Sequence, residues 1–353
     1  MAVTMKDIAK IAGISRQAVA AALSDVGTSK VSPETRARVR SIAQSLHYVP
    51  NQNAKCLRGG ASNTVGIYGV PYVSVLSQSL FHQFSIALDA FGYNLIAGYG
   101  IGEEAEEKAI RNLLGRGIDG LIVTTQENPL SKWDLARVPY VFCPPAKVDN
   151  FDVVVDHAVG AAEAMRKLIA SGRRRTVFLA PYEGGVYGEP TYQKIRGIEE
   201  VLRGCGEKLR TLTVEECSGM SERLMARLRE LSPEILFCSN DYFAGRMLTL
   251  LLNNGFRVPE DMAVVGYDGL SVCDLFAVPL STVVQPLQKV ARTVADLLVK
   301  RIRDKNLTPE PAGISLPSYF YPSASCGFDN ERLRTLPMYG SHSCLEAIWD
   351  NLF

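Results

Sequence analysis

From Asn63 onward the sequence alternates between short apolar runs and longer amphipathic stretches, which limits the chain to a small set of folds. Such runs indicate strands of a parallel sheet, and the stretches between them indicate helices that cover both of its faces. We predict strands at Thr64–Val70, Asn94–Tyr99, Gly120–Thr124, Tyr140–Cys143, Val177–Ala180, Ile235–Cys238 and Met262–Gly266. We predict helices at Gln78–Phe91, Glu103–Gly115, Val159–Ala170, Tyr192–Arg203, Ser221–Leu231 and Asp241–Asn253. Because this region is long for one open sheet, we expect two lobes with a ligand cleft at the carboxyl ends of the strands.

The first 60 residues differ from the rest of the chain in charge. They carry nine Lys or Arg residues against three Asp or Glu residues, which gives +6, whereas the remainder carries −5. A small basic segment joined to an acidic body is typical of a module that binds a polyanion.

Three short helices are predicted in this basic segment. Thr4 and Asp7 form a capping box, Ser15 can cap a second helix, and Ser32-Pro33-Glu34 is a strong start for a third. The apolar face of the first helix is expected to consist of Ile8, Ile11 and Ala12.

The spacing of Ala9, Gly13 and Val19 is typical of a helix-turn-helix. A small residue stands where the two helices cross, a glycine stands in the turn, and a branched residue anchors the second helix. In that interpretation the second helix enters the major groove, where Arg16 and Gln17 can bond guanine and adenine. An ordinary helical hairpin is the alternative on this stretch alone.

Residues 52–58 are long enough for about two helical turns, which are not stable in isolation. If this segment folds against DNA, Leu57 can act as a wedge between base steps in the minor groove, and Ala54 lets a twin helix approach closely. The alternative is a flexible linker.

Several classes of protein are disfavoured by the sequence. No apolar run approaches the ~18 residues of a membrane span, and the N-terminus lacks the apolar core of a signal peptide, so we expect a cytoplasmic protein. The eight cysteines form no CxxC pair and there are only four histidines, so we expect reduced thiols and no metal site. We find no catalytic constellation or phosphate-binding loop, and we expect neither a cofactor nor an enzyme.

Ordered motifs run from about residue 4 to about residue 327. In the basic segment they are Thr4–Ser15, Val31–Arg36, Tyr48–Asn51 and the pair Ala54 and Leu57. In the body they are Asp119–Ile122, Ser239–Asp241, Val258–Asp261, Val264–Asp268 and Pro279–Pro286. Taken together, these motifs resemble the lactose-repressor (LacI/GalR) family of transcriptional regulators.

The resemblance implies an all-α helix-turn-helix head and a two-lobed α/β body of the periplasmic-binding-protein type, with parallel sheets in Rossmann-like lobes. It implies five parts of the chain. These are a DNA-binding domain (1–50), a hinge helix and linker (51–60), an N-terminal effector lobe (63–157 plus 286–317), a C-terminal effector lobe (158–285 plus 318–330) and a tail (331–353). The tail could pack on its own lobe or pair with another subunit.

The resemblance also implies a homodimer whose paired heads bind a pseudo-palindromic operator in double-stranded DNA. A small molecule, a sugar or sugar derivative, would bind between the lobes and control operator affinity. Whether that molecule induces or corepresses is left open by the sequence.

Site residues are implied position by position. The start of the recognition helix, which reads the operator, corresponds to Ser15, Arg16 and Gln17. Phosphate contacts correspond to Thr4, Lys30, Thr35 and Asn51. The hinge contacts correspond to Ala54, to the wedge Leu57 and to Arg58. Effector contacts correspond to Lys194, Asn240, Asp268 and Gln285. As alternatives, Asn240 and Asp268 could cap turns, and Lys194 could be a solvated helix residue.

The sequence departs from the family pattern in two regions. The middle of the recognition helix has Ala18, Ala20 and Ala21 where members usually carry hydrogen-bonding residues, so base reading should depend on Arg16, Gln17 and the hinge. In the body, Lys194 replaces a usual arginine. The cleft also lacks common polar and aromatic groups, since it has Ser74-Val75-Leu76, Pro144 and Cys217.

Two other functions compete with the regulator. A free two-lobed sugar-binding protein would share the body, but the basic head, the hinge and the missing signal peptide argue against it. An enzyme that uses the cleft is disfavoured because we find no catalytic constellation.

We predict that Arg16→Ala abolishes the preference for operator DNA while nonspecific binding survives at low salt. A base-reading arginine contributes sequence discrimination, whereas phosphate contacts supply the general affinity. Fluorescence anisotropy with operator and scrambled duplexes tests this. Equal loss of affinity for both duplexes would make Arg16 a phosphate contact instead.

Overall fold

The structure is a computed structural model. It describes residues 3–23, 31–49, 61–69, 74–132, 137–180, 188–213, 221–307 and 310–329. The chain divides into two compact units, Met1–Ser62 and Asn63–Phe353, which we call the head and the body. The predicted hinge (51–60) and tail (331–353) lie outside the described residues.

Three helices form the described part of the head: α1 (Met5–Ala12), α2 (Arg16–Leu23) and α3 (Pro33–Ser45). The caps that start them are the predicted ones. The Asp7 carboxylate accepts the N–H of Thr4 at 2.8 Å within a capping box. The Ser15 hydroxyl accepts the N–H of Ala18 at 3.1 Å, and Ser32 accepts the N–H of Thr35 at 3.2 Å.

A small apolar core joins the three helices. It is formed by Ile8, Ala12, Val19, Ala22, Val39 and Ala43. The expectation for Ile11 is wrong: α1 meets the core along Ile8 and Ala12, and the Ile11 side chain remains 59% exposed. Gly13 ends α1 at φ 64°, a left-handed conformation that glycine adopts without steric cost, so the chain turns into α2.

The first lobe of the body contains a four-stranded parallel sheet in the order β2-β1-β3-β4, and a parallel pair of β11 with β5. Its strands are β1 (Thr64–Tyr68), β2 (Asn94–Gly98), β3 (Gly120–Val123), β4 (Tyr140–Phe142), β5 (Val153–Asp156) and β11 (Ile314–Pro317). Its helices are α4 (Val75–Asp89), α5 (Glu103–Gly115), α6 (Pro129–Lys132) and α11 (Leu287–Asp304). Apolar clusters on the two faces of the sheet form the core of this lobe.

The second lobe contains a six-stranded sheet in the order β12-β10-β9-β8-β6-β7, parallel except for the pairing of β12 with β10. Its strands are β6 (Thr176–Ala180), β7 (Arg210–Thr213), β8 (Ile235–Cys238), β9 (Ala263–Asp268), β10 (Ser281–Val284) and β12 (Tyr319–Tyr321). Its α-helices are α7 (His157–Ala170), α8 (Glu189–Gly204), α9 (Ser221–Leu231) and α10 (Asp241–Asn253). Short 3₁₀ turns lie at Ser271–Leu275 and Ala324–Cys326. Helices α9 and α10 cover one face of the sheet, and α7 and α8 cover the other.

The predicted two-lobed α/β architecture is therefore confirmed. Predicted helices and strands of the body are present, and their described ends agree to within three residues. The sequence analysis did not assign α11 or the strands β5, β7, β10, β11 and β12. Helix α11 is the largest omission, because its buried face completes the core of the first lobe.

The chain passes between the lobes at three crossovers in the described residues. Strand β5 leads into α7 at Asp156 and His157, β10 leads into α11 through Gln285 and Pro286, and β11 leads into β12 at Ser318. All three crossovers leave or enter a sheet at its carboxyl edge or beside it, which is where α/β sheets bind ligands.

A buried ion pair fastens α11 to the first lobe. The Arg301 guanidinium is 6% exposed and donates to both oxygens of Asp152, at 2.6 and 2.8 Å. It also donates to the carbonyl oxygens of Tyr140 at 2.7 Å and Glu310 at 2.9 Å. One side chain thus joins α11 to three other segments.

We predict that Arg301→Met lowers the free energy of unfolding of the body by about 3–5 kcal/mol, because the buried Asp152 carboxylate loses its charged partner and keeps only the backbone N–H groups of Phe142 and Ala312. Urea-induced unfolding measures the loss. Arg257→Met is the matched control, since Arg257 pairs with Asp261 on the surface and exposed pairs contribute little. Similar losses in the two variants would contradict the prediction.

Candidate functional site

The head exposes the residues expected to read DNA. Ser15, Arg16 and Gln17 are exposed at the start of α2. Because the caps already hold this helix end, Arg16 and Gln17 project from a fixed backbone.

The expected phosphate contacts lie at helix starts. Thr4 is exposed, and its hydroxyl donates to Asp7 at 2.7 Å. Thr35 is half-buried, and its hydroxyl accepts from Ser32 at 2.9 Å. The other expected DNA contacts lie outside the described residues; they are Lys30, Asn51, Ala54, Leu57 and Arg58.

Lys194 is the centre of a polar cluster in the second lobe. Its side chain extends from α8 and is only 6% exposed, so the alternative of a solvated helix residue is wrong. The ammonium group donates to the carbonyl oxygen of Ser239 at 2.8 Å and lies 3.8 Å from the centroid of the Tyr267 ring. Burial lowers the pKa of Lys194, and the carboxyl groups of Asp268 and Asp241 offset part of that effect.

Asp268 ends β9 and lies in the same cluster. Its Oδ1 accepts from the Gln285 amide at 2.8 Å, and its backbone carbonyl accepts the Gln285 N–H at 3.2 Å. Burial raises the pKa of Asp268 to about 6, against the opposing effects of Lys194 and Gln285. The backbone φ of 120° is uncommon for a side chain other than glycine, and such conformations cluster at functional sites.

Asn240 and Asp241 follow β8 and begin α10. The Asn240 Oδ1 accepts the N–H of Phe243 at 2.8 Å, so the capping alternative is confirmed for this residue. Asp241 is buried and accepts from the Thr282 hydroxyl at 2.5 Å and the Leu270 N–H at 2.8 Å. Burial, followed by repulsion from Asp268, raises the pKa of Asp241 to about 7.

The four expected effector residues thus belong to one region of the second lobe. Asp268 accepts a hydrogen bond from Gln285, and its carboxyl group lies close enough to Lys194 to raise the pKa of the lysine. Asn240 directly follows Ser239, whose carbonyl oxygen accepts a hydrogen bond from the Lys194 ammonium group. Asn240, Asp268 and Gln285 lie at or just beyond the carboxyl ends of the neighbouring strands β8, β9 and β10, whereas Lys194 reaches this edge of the sheet from α8.

Three further residues of this region were missed by the sequence analysis. Asp241 and Tyr267 each adjoin an expected site residue, and their position at a strand end was the available signal. His157 gave a weaker signal, since a single histidine at a strand-to-helix junction is not specific. Its ring contacts Tyr267 and the backbone of Pro145.

The departures from the family pattern are partly visible. Ser74 caps α4 by accepting the N–H of Ser77 at 3.0 Å, and Pro144 is buried. Cys217 lies outside the described residues. Cysteines 143, 238, 273 and 326 are buried as small apolar residues, whereas Cys205 is exposed.

Comparisons with known proteins match both units of the chain. Residues 4–51 match the model of the bacterial regulatory proteins of the lacI family, and residues 165–318 match the periplasmic binding protein-like domain. The HTH-type transcriptional regulator CelR of Thermobifida fusca is 30% identical over 339 residues, which cover 90% of this chain and 96% of that protein.

Solved structures agree with these matches. A lac repressor dimer bound to operator and the anti-inducer ONPF has a TM-score of 0.77 at 22% identity, covering 92% of this chain and 99% of that one. A complex of the transcriptional regulator CelR with cellobiose has a TM-score of 0.63 at 26% identity, with the same coverage.

A helix-turn-helix head with an exposed recognition helix, followed by a two-lobed body with a polar cluster at its strand ends, defines a DNA-binding transcriptional regulator. The chain belongs to the lacI family of these regulators, as the resemblance of its motifs implied.

Among the described residues, no helix has the length and apolar character needed to traverse a bilayer. In the same residues, no group of three or more His, Cys, Asp or Glu side chains could hold a metal ion.

We predict that Asp268→Asn changes how stability depends on pH. Between pH 4 and about 6 the folded protein binds more protons at Asp268 than the unfolded chain, so this residue makes stability fall as pH rises. The free energy of unfolding of the wild type minus that of the variant should therefore decline across this window, and on to about pH 7 because repulsion from Asp268 also raises the pKa of Asp241. Urea unfolding at several pH values tests this, and a flat difference from pH 4 to 6 would contradict it.

Proposed function

We propose that the chain is a homodimeric repressor whose affinity for a pseudo-palindromic operator is controlled by a carbohydrate bound between the lobes. The observation that carries this proposal is the cluster of the buried Lys194, the buried Asp268 and the half-buried Gln285 beside the carboxyl ends of adjacent strands. Buried charges are costly, and a site that binds polar ligands is a common reason for retaining them.

The cluster favours a neutral, hydroxyl-rich ligand. Its ammonium, carboxyl and amide groups can donate to and accept from neighbouring hydroxyls. Two buried carboxyl groups surround one ammonium group, so the described part of the site has no surplus positive charge for an anionic ligand. Lysine also lacks the planar fork with which arginine holds a carboxylate. The CelR relative solved with cellobiose supports a sugar as the first ligand to test.

The exposed start of α2 supports the DNA part of the proposal. Ser15, Arg16 and Gln17 would lie at the operator-reading start of the recognition helix, and Thr4, Lys30, Thr35 and Asn51 would lie near operator phosphates. The hinge residues Ala54, Leu57 and Arg58 would fold into the minor groove of the bound operator. The lac repressor dimer on its operator supports a pair of heads acting together.

The proposed limits of the parts are those expected from the sequence: 1–50, 51–60, two discontinuous lobes, and a tail from 331. The three crossovers, at Asp156–His157, Gln285–Pro286 and Ser318, support the division of the body. We also infer that the protein works in the cytoplasm, where its DNA is, and that it regulates rather than catalyses, as its named relatives do.

In the proposed mechanism the ligand shifts a population of lobe arrangements. A ligand that contacts both lobes favours one angle between them, and that angle sets the spacing of the two hinge segments in the dimer. By reciprocity, operator DNA changes ligand affinity by the same factor as the ligand changes operator affinity.

The proposal is tested with the full chain, first by selecting its binding site from random duplexes. Thermal shift with cellobiose, glucose, glucuronate and adenine then identifies a ligand class. We expect a sugar to raise the melting temperature of the wild type but not of Lys194→Met, and to change operator Kd by about 5–150-fold.

Arg196→Met is the matched control, because Arg196 lies on the same helix two residues away but is 63% exposed. It should respond to the sugar as the wild type does. Equal affinity for every duplex would overturn the proposal of a sequence-specific regulator. A thermal shift with adenine alone would overturn the proposal of a carbohydrate ligand.

A further inference from the structure

Tyr267 and Asp268, the last two residues of β9, contact all three crossovers between the lobes. The Tyr267 hydroxyl lies 3.0 Å from His157 Nδ1 at the first crossover and 3.3 Å from the Ser318 hydroxyl at the third. Asp268 accepts from Gln285 at the second crossover. Two neighbouring residues thus touch each place where the chain passes between the lobes.

His157 connects this point to the first lobe. Its Nε2 lies 2.8 Å from the carbonyl oxygen of Pro145, in the loop between β4 and β5. A carbonyl only accepts, so Nε2 carries the proton and donates it. Burial, followed by the charge of Lys194, lowers the pKa of His157 to about 3, so the ring is neutral and Nδ1 accepts from Tyr267.

The third crossover is fixed to the first by short bonds. The Ser318 hydroxyl donates to the carbonyl oxygen of Asp156 at 2.7 Å and accepts the N–H of Gly160 at 3.1 Å. Ser318 is 1% exposed, and Tyr267 is fully buried. Water is therefore largely excluded from these groups, which bond one another and the nearby backbone, including the His157 carbonyl oxygen 3.2 Å from the Tyr267 hydroxyl.

Tyr267 also contacts a residue of the candidate ligand site, because the Lys194 ammonium group lies over its ring, 3.8 Å from the centroid. A continuous set of contacts therefore runs from Lys194 to Tyr267, His157 and the Pro145 backbone. If Lys194 moves away from the Tyr267 ring or is removed, the environment of Tyr267, which bonds His157, changes.

We propose that His157 and Tyr267 form a latch that holds the lobes at one angle and couples this angle to the position of Lys194. Both are positioning residues, since neither needs to touch the ligand. The proposal rests on the proposed function for its biological meaning, because a lobe angle matters only if it controls DNA binding. The latch itself is a property of the body alone.

The ligand-free full chain provides the test. Spin labels are introduced as unnatural amino acids at the exposed residues Lys108 in the first lobe and Glu200 in the second, because eight cysteines preclude thiol labelling. Pulsed electron paramagnetic resonance then measures the distribution of distances between the lobes. We expect Tyr267→Phe, which removes one hydrogen bond, to widen this distribution about twofold as further lobe arrangements become populated.

Tyr68→Phe is the matched control. Tyr68 is also a buried tyrosine, 2% exposed, and its hydroxyl lies 3.4 Å from the Gly100 carbonyl within the first lobe. This variant should keep the wild-type distribution. A wild-type distribution for Tyr267→Phe, or equal widening for Tyr68→Phe, would overturn the latch.

Two more variants test the rest of the path. His157→Asn, whose shorter side chain cannot span Pro145 and Tyr267, should widen the distribution at least as much as Tyr267→Phe. Lys194→Met should widen it less, because the hydroxyl bond remains; no change in this variant would overturn the coupling to the ligand site. Failure to select any DNA site would overturn the proposed function, whereas the distances decide the latch without DNA or sugar.

Discussion

The buried ammonium group of Lys194 is the interaction on which the candidate site depends. Its burial disfavours its charge, and the surrounding groups compensate in different ways: the Ser239 carbonyl accepts a hydrogen bond from it, the Tyr267 ring presents its face, and Asp268 supplies a nearby carboxyl group. The same carboxyl group is fixed by Gln285. The residues expected to hold a ligand therefore bond one another or a shared neighbour, and a ligand must compete with these contacts.

Much of the fold could be predicted from the sequence, because the signals were local. Caps at Thr4, Ser15 and Ser32 marked the starts of the head helices. The body elements with clear apolar runs were predicted with ends within three residues of the observed ones. Elements without such a local signal were missed. The strand Arg210–Thr213 alternates little. Helix α11 is a different case, because Val290, Val294 and Leu298 recur at helical spacing and the sequence analysis overlooked this signal. Ile11 shows the opposite error, because it was expected in the core and is exposed. Helical spacing predicts which side of a helix is apolar, but not how much of that side the neighbouring helices cover.

The candidate site was predictable only where family motifs marked it. Lys194, Asp268 and Gln285 were assigned by resemblance, and the structure brings them together through β9 and its neighbours. His157 could not be found in this way. Its partners are Pro145, 12 residues earlier, and Tyr267, 110 residues later, and only the crossing of the chain between lobes makes them adjacent. Asn240 shows that a helix cap and a candidate ligand contact can be the same residue.

Neither lobe is a continuous stretch of the chain, and this affects the order in which the protein can be made. The sheet of the first lobe is complete by residue 142, yet its core lacks Val290, Val294 and Leu298 until α11 emerges from the ribosome. At the usual pace of synthesis, that interval lasts about ten seconds or more. During it, the second lobe can assemble most of its sheet while the first still exposes an apolar face. The body is therefore completed only after its second lobe has largely formed. Until then, the apolar face that α11 will cover is a defined surface that a chaperone can protect.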